Sequence, residues 1–569
     1  MTTAQPETDV PPFPPERIAN AGSYPERTKL VAQNWAYASP NRPSVMALYW
    51  IKYICVLIPI WAFWCSFNAG YTGFFDFGNW AMSSEAFKKA MVWSMCWELF
   101  GFGCGWGPMN ARFDKWYGGY RHFARTGTIK LPLFPGVPLI GGNTRNWLDV
   151  SLYSLNQILL LWALIQPEMT PAHLLPCFVL VFVNGILDKT LYLMARSEHY
   201  LVVMGAIIFA FDDELWVSGA KLTWSFIWIW AGVSKWNMHF PSVIMVMMNN
   251  GPFFPKALKK NLFANYPHDI TPSRFAHFMA AFGHISEVSI PFILFAGLAT
   301  GNDMILLGGC ILFTGFHSFI GLNNPAGMPV EWNILMIYGG WNLFWFHPTD
   351  SIFEMTQAPV LLAVMLFSLA VIPTLGNFFP SRLSFLLSMR YYAGNWAYNV
   401  WLFKKDSNYR EKIAKIKKPS TTVLEQLEEM IEDPTELAAA KAAMSANRQL
   451  HLQGRPLLEA LPAAVGHDID DYEFQEGETF GGTILGWNFG DGHLNGYELL
   501  QKMQPICGFE KGELKLISVE SQPLFNPTMH WRVYCPVEGK IAEGVTNLKD
   551  YKLHQPWPEG EIAEALSPR

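Results

Sequence analysis

The chain has 569 residues, of which 51% are hydrophobic and only 15% charged, and its formal net charge is −6. An ordinary soluble protein is about a quarter charged, so this balance excludes a simple soluble enzyme and predicts a membrane protein. The excess acid lies largely in the C-terminal third, which gives no support for nucleic-acid binding.

Residues 1–43 read as a flexible cytoplasmic arm, because Pro6, Pro11, Pro12, Pro14 and Pro15 deny it regular structure. It has no basic-then-apolar start and no small-residue cleavage site, so no signal peptide is expected. A spanning helix needs about 20 apolar residues. Such segments fall at 44–70, 86–104, 148–167, 171–195, 213–235, 272–300, 302–322, 326–346 and 356–378, with the shorter run 198–211 as a tenth candidate. The fold class predicted is an all-α polytopic bundle of nine to ten spans over 44–404, followed by a C-terminal cytoplasmic α+β domain over 405–569. Twenty-four tryptophans and forty-two phenylalanines suit its lipid-facing and interfacial surfaces.

Lysine and arginine collect in alternate loops: Arg17, Arg27, Lys29 and Arg42; Arg112 to Arg145; Lys256, Lys259 and Lys260; Arg382 and Arg390. By the positive-inside rule this places both termini in the cytoplasm, in the inner (plasma) membrane. Between spans two and three, residues 105–147 alternate basic and aromatic residues, as expected of an interfacial segment against anionic headgroups. Residues 240–265 are apolar, then broken by Asn249-Asn250-Gly251-Pro252, and read as re-entrant or surface-lying. The chain leaves the membrane through the aromatic-basic stretch 379–404. In the tail, 419–465 reads as helical, whereas G-G-T-I-L-G-W-N-F-G-D-G-H-L, L-K-L-I-S-V-E-S and M-H-W-R-V-Y-C-P-V-E-G-K suggest strands and turns.

Several ionisable residues fall inside apolar segments. Lys235 ends the helix over 213–235 in A-G-V-S-K. It either snorkels to the headgroups or sits in a low-dielectric site where a neutral amine acts as a general base. Arg274, His277, His284 and Glu287 recur in steps of three and seven, one face of a helix. That stripe faces either other helices, as hydrogen-bonding glue, or a water-filled cavity. His317 and Glu331 lie in the next two spans, and Glu198 and His199 with Asp188 and Lys189 form another ionisable group. Metal signatures are missing: there is no H-x-x-x-H set and no E-x-x-H repeat, although histidines from two helices would suffice for a haem iron. No P-loop, G-x-S-x-G or zinc-protease motif occurs. The eight cysteines form no C-x-x-C and read as small buried hydrophobes. Asp491 and His493 in G-W-N-F-G-D-G-H invite a nucleotide or metal reading, but glycine-rich turns are usually only turns.

The run A-G-V-S-K-W at 231–236 resembles the aromatic-A-G-x-x-K-hydrophobic element of the vitamin K-dependent gamma-carboxylase-like family, the horizontally transferred transmembrane domain. The stretch F-H-S-F-I-G-L-N-N-P-A-G-M-P-V-E-W-N-I-L resembles that family's following helix, and the likeness covers roughly residues 44–400. The resemblance implies quinol- and oxygen-dependent chemistry with Lys235 as catalytic base and His317 as the matching helix histidine. Ser234 stands where the carboxylases have a second lysine, and the tail does not resemble their lumenal domain.

Two functions follow as expectations. In the first, the bundle encloses a lipid- or quinone-accessible pocket where Lys235 is a general base, assisted by His284, Glu287 and His317, and where Arg274, His277, Trp236 and His239 contact the ligand. In the second, the protein is a non-catalytic scaffold or lipid-handling subunit, a partner of membrane lipid, whose residues 405–569 recruit a protein. A transporter ranks third, because the hydropathy pattern has no internal repeat.

Overall fold

The computed structural model describes residues 10–38, 47, 50–103, 119–210, 214–251, 254–323, 330–391, 393–487 and 491–568. The helices that build the molecule are α1 (Tyr24–Tyr37), α2 (Trp50–Cys65), α3 (Ser84–Leu99), α4 (Trp147–Leu164), α5 (Pro171–Leu187), α6 (Ser197–Phe209), α7 (Leu215–Val233), α8 (Phe240–Asn250), α9 (Arg274–Thr300), α10 (Asp303–Asn323), α11 (Val330–Gly340), α12 (Pro359–Phe378) and α13 (Pro434–Ala446). A five-stranded antiparallel sheet follows, made of β1 (Tyr398–Lys404), β2 (Tyr472–Glu476), β3 (Leu514–Val519), β4 (Thr528–Cys535) and β5 (Gly539–Asn547) in the order β2-β1-β3-β4-β5.

Among the described residues, four helices are long and apolar enough to cross a membrane: α4, α9, α10 and α12. Shorter apolar helices are α2, α5 and α6. Their outer faces explain the composition. Val360, Val364, Phe367, Val371 and Leu375 on α12 are exposed, as are Leu175, Val179, Phe182 and Ile186 on α5 and Phe278, Phe282, Ile285 and Phe292 on α9. Steps of three, four and seven put each set on one stripe. Apolar stripes of this length that meet no protein are lipid-facing surface.

The expected span over 213–235 differs in kind. It is α7, whose side chains from Leu215 to Ser225 are all buried. A helix ringed by other helices meets no lipid, so it carries Ser218, Lys221, Thr223 and Ser225 in place of a continuous apolar run. Lys221 is accommodated by donating to the carbonyls of His347 (2.6 Å) and Asp350. The span expected over 86–104 is α3, likewise buried almost throughout.

The proline-rich arm is more ordered than its composition suggests. Residues 39–43 and 1–9 lie outside the described residues, but α1 is a 14-residue helix capped by Ser23 and buried along one side. It packs on α13 of the tail, and the Tyr24 hydroxyl accepts from Gln449 Nε2 at 3.1 Å. The basic segment after span two is divided: Arg121, Arg125, Leu133, Phe134 and Leu139 are exposed, whereas other members are enclosed. Its part at 104–118 lies outside the described residues; beyond it, Lys130 and Arg145 are buried in ion pairs with Asp149 and Asp188 rather than spread on headgroups.

The inner strands β1 and β3 of the sheet are buried on both faces. Tyr398, Val400, Leu402, Ile517, Val519 and Val533 pack with Leu457, Ala460 and Leu461, whereas Trp401, Phe403, Leu514 and Leu516 join the same hydrophobic core as the helical bundle. Strand β1 is interior: Trp401 lies opposite Gln475 on one side and Leu516 on the other. The boundary expected at 405 therefore falls just after the strand on which two others pair. The run G-G-T-I-L, expected as a strand, lies in a helix, Gly477–Leu485, capped by Glu476 and ended by Gly486 at φ +76°. The described cysteines are free thiols, all buried except Cys55, and Cys104 lies outside the described residues.

Candidate functional site

The Lys235 site is built where α7 crosses α9. Gly232, one turn before the lysine, permits the crossing: a methyl group at its Cα would lie 2.5 Å from Val288 Cγ2 and 3.2 Å from the His284 carbonyl. That approach brings Lys235 onto Glu287, and the two side chains form a direct ion pair, each almost wholly buried. The ammonium is walled by the rings of Phe316 and Phe240, 5.6 and 5.9 Å from Nζ. It does not snorkel. A buried pair of this kind gives little net stability, but removal of either partner strands a charge and costs about 3–5 kcal/mol.

His317 lies on α10 next to Phe316, which walls the Lys235 ammonium, and its partners define its state. Trp228 Nε1 donates to His317 Nε2 at 2.9 Å, and His317 Nδ1 faces Asn333 Oδ1 at 3.0 Å. An indole N–H only donates, so Nε2 carries no proton and Nδ1 does. Both ring nitrogens thereby have hydrogen-bond partners.

The polar stripe on α9 is divided. Glu287 faces inward, His284 is half-buried beside the Trp236 ring at 6.3 Å, and Arg274 and His277 are exposed at the helix start. His277 Nδ1 donates to the Ser273 carbonyl at 2.9 Å, a bond within its own helix. Trp236 is exposed and also meets Phe525 of the tail. His239 is fully buried between Gln522 Oε1 (2.7 Å) and the Ala393 carbonyl (3.1 Å), so it ties the tail to the bundle. Of the eight residues singled out in the sequence, only Lys235 and Glu287 are in mutual contact through a polar bond.

A second polar centre gathers residues that sequence spacing does not connect. Arg196 pairs with Glu198 at 2.6 Å, the Tyr391 hydroxyl donates to the same glutamate oxygen at 2.6 Å, and Trp332 Nε1 donates to Glu98 at 3.0 Å. Glu331 lies beside Glu98. Glu198 and Glu331 were visible as acids in apolar surroundings; Glu98, in M-C-W-E-L-F, carried the same signal, and Arg196 and Tyr391 carried none. Among the described residues no group of three or more His, Cys, Asp or Glu side chains has the arrangement of a metal site.

In the tail, Asp491 and His493 belong to a junction network. His493 Nε2 lies 3.0 Å from Glu520 and Nδ1 3.4 Å from Asp491, while buried Arg390 donates to Ser521 Oγ at 2.8 Å. Burial alone would lower the His493 pKa, but the bond to Glu520 and the charge of Asp491 outweigh it and raise it above the ordinary imidazole value.

No curated protein and no solved structure matches the chain. A family match over residues 5–566 takes in nearly the whole chain and carries no link to the gamma-carboxylase-like proteins. Lipid-facing helices, buried ion pairs and this end-to-end match agree: the chain belongs to the family described as transmembrane protein of unknown function (DUF3556).

Proposed function

We propose that this protein is a membrane scaffold that holds a small α+β layer against the bilayer, with Lys235 as a structural cation rather than a base. The observation that carries this reading is the Lys235–Glu287 pair. A general base needs a free lone pair within reach of a substrate proton. An ammonium bonded to a carboxylate and enclosed by Phe240 and Phe316 offers none, and His317 has no free nitrogen with which to assist. On this reading neither quinone nor another redox ligand is required. Both termini lie in the cytoplasm, supported by lysine and arginine placement, and a count of nine or ten spans is reached only if shorter helices and the core helices α3 and α7 also cross. Strand β5 has one unpaired edge among the described residues, the feature a partner's strand would extend.

The test replaces the pair with apolar side chains of similar volume. Lys235→Met alone should lose about 3–5 kcal/mol, whereas Lys235→Met with Glu287→Leu should regain most of that stability. The double variant should also replace the native protein in its host cell. A double variant that folds and inserts normally yet cannot replace the native protein would return Lys235 to chemistry.

A further inference from the structure

Two carboxyl groups from different helices meet inside the bundle. Glu98 stands at the end of α3 and Glu331 at the start of α11, and each is 1% exposed. Both converge on Gly103, where a methyl group would lie 2.1 Å from Glu98 Oε2 and 2.9 Å from Glu331 Oε1. Ionised carboxylates only accept hydrogen bonds, so two of them cannot bond to each other without a proton.

Among the described residues, the neighbouring charges leave this pair one positive charge short. Glu198 is the third carboxylate, paired with Arg196, whose guanidinium also lies 3.1 Å from the Trp332 ring centroid. The second cation is Lys52 of α2, whose ammonium donates to the carbonyls of Phe102 (2.7 Å) and Gly103 (3.2 Å). Among the described residues, three carboxylates and two cations leave a charge of −1 in a buried site, where a net charge is expensive. One proton brings the centre to zero. Tyr391, His199 and Tyr200 are the other titratable groups around it among the described residues; Tyr391 is bonded to Glu198, and the His199 ring packs on Trp224 at 4.7 Å.

An independent observation points to the same place. Both oxygens of Glu331, Nε and Nη1 of Arg196, and the Tyr200 hydroxyl are buried with no hydrogen-bond partner among the described residues. Tyr200 is itself 1% exposed and lies within the electrostatic field of Glu98, Glu331 and Arg196. Buried donors and acceptors left without partners can be satisfied by a proton or another exchangeable group.

We propose that Glu98 and Glu331 form a proton-binding site, one proton shared as O–H···O between their carboxyl groups, with the Tyr200 hydroxyl as a positioning group. The proton arrives from water and returns to it, and no bond other than O–H forms or breaks. This site goes beyond the scaffold reading and stands or falls separately from it.

The experiment is infrared spectroscopy of the full-length protein in lipid nanodiscs, in H2O and D2O, as a function of pH. The expected result at neutral pH is a protonated-carboxyl C=O band that shifts on deuteration. It should disappear in Glu98→Gln and in Glu331→Gln, and persist in Glu168→Gln, which alters an exposed carboxylate. Tyr200→Phe leaves the pair intact and should displace the band without removing it; an unmoved band would remove Tyr200 from the site. Absence of the band in the native protein, or its survival in both glutamine variants, overturns the proposal. Thermal stabilisation by Na+ or K+ without a protonated-carboxyl band also overturns it, in favour of a bound metal cation.

Discussion

At the scale of single residues, partners decide roles that residue type leaves open. His317 has the look of a membrane catalytic group, yet it joins three elements: Trp228 of α7 donates to it and it donates to Asn333 of α11. His317→Phe should therefore act on stability, stranding a buried indole N–H and a buried amide oxygen at about 1–3 kcal/mol each. The loss should be visible as a lower midpoint of thermal unfolding in detergent, and adding Trp228→Phe should recover part of it. Normal stability with lost cellular function would contradict this role. Lys235 was legible in the sequence because a cation closing an apolar helix has few explanations. Glu287 is among the three groups the sequence sets beside it, but that Glu287 rather than His284 or His317 makes the pair is not legible, because it lies 52 residues away and the contact depends on how two helices cross. Spacing along one helix identifies a stripe; which part of the stripe is covered depends on neighbours that the stripe does not encode.

Elements were legible where lipid imposes the pattern and obscure where protein does. Helices α4, α9, α10 and α12 carry apolar stripes facing outward and stand out by composition. Phe282→Arg, at the centre of the α9 stripe, should cost insertion about 2.5–3.5 kcal/mol, measured as a reduced membrane-integrated fraction; full integration would mean that this face meets water or protein. Helices α3 and α7 are legible as the apolar segments 86–104 and 213–235, but their enclosure is not, and the run G-G-T-I-L reads as a strand because glycine and β-branched residues obscure a short, well-capped helix. The helix crossing itself is legible only in hindsight, through Gly232. Gly232→Ala adds a methyl group 2.5 Å from Val288 and should destabilise the bundle by about 1–3 kcal/mol. Pairing it with Val288→Ala should reverse most of that loss, which a comparison of unfolding midpoints would detect.

At the scale of the whole molecule, the tail packs against the bundle and shares its hydrophobic core. The loop after β3 donates from Leu524 to the Asn377 carbonyl at 2.8 Å and from Phe525 to Asn237 at 3.3 Å, and Leu452 donates to Ser242 at 2.9 Å. This junction should respond to pH through His493 and Glu520. The His493 pKa is raised above 6.5, so its contribution is complete below 6.5 and is lost as pH rises through the folded value. The Glu520 pKa is held below 4.5 despite burial, chiefly by His493, so its contribution is present above 4.5 and is lost as pH falls through the folded value. The unfolding midpoint should peak between 4.5 and 6.5 and decline above, and Glu520→Gln should flatten that decline. The same integration governs where the chain can be divided. Composition changes after residue 404, but β1 ends there and lies between β2 and β3, with Trp401 opposite both Gln475 and Leu516. A fragment of residues 405–569 would leave β2 without a partner and expose the inner edge of β3, the condition under which sheets aggregate. Expressed alone, it should lack a cooperative unfolding transition by circular dichroism, and extending it back to residue 393 should restore sheet content. Cooperative unfolding of 405–569 by itself would show that its strands pair without β1 and that the tail folds independently of the membrane part.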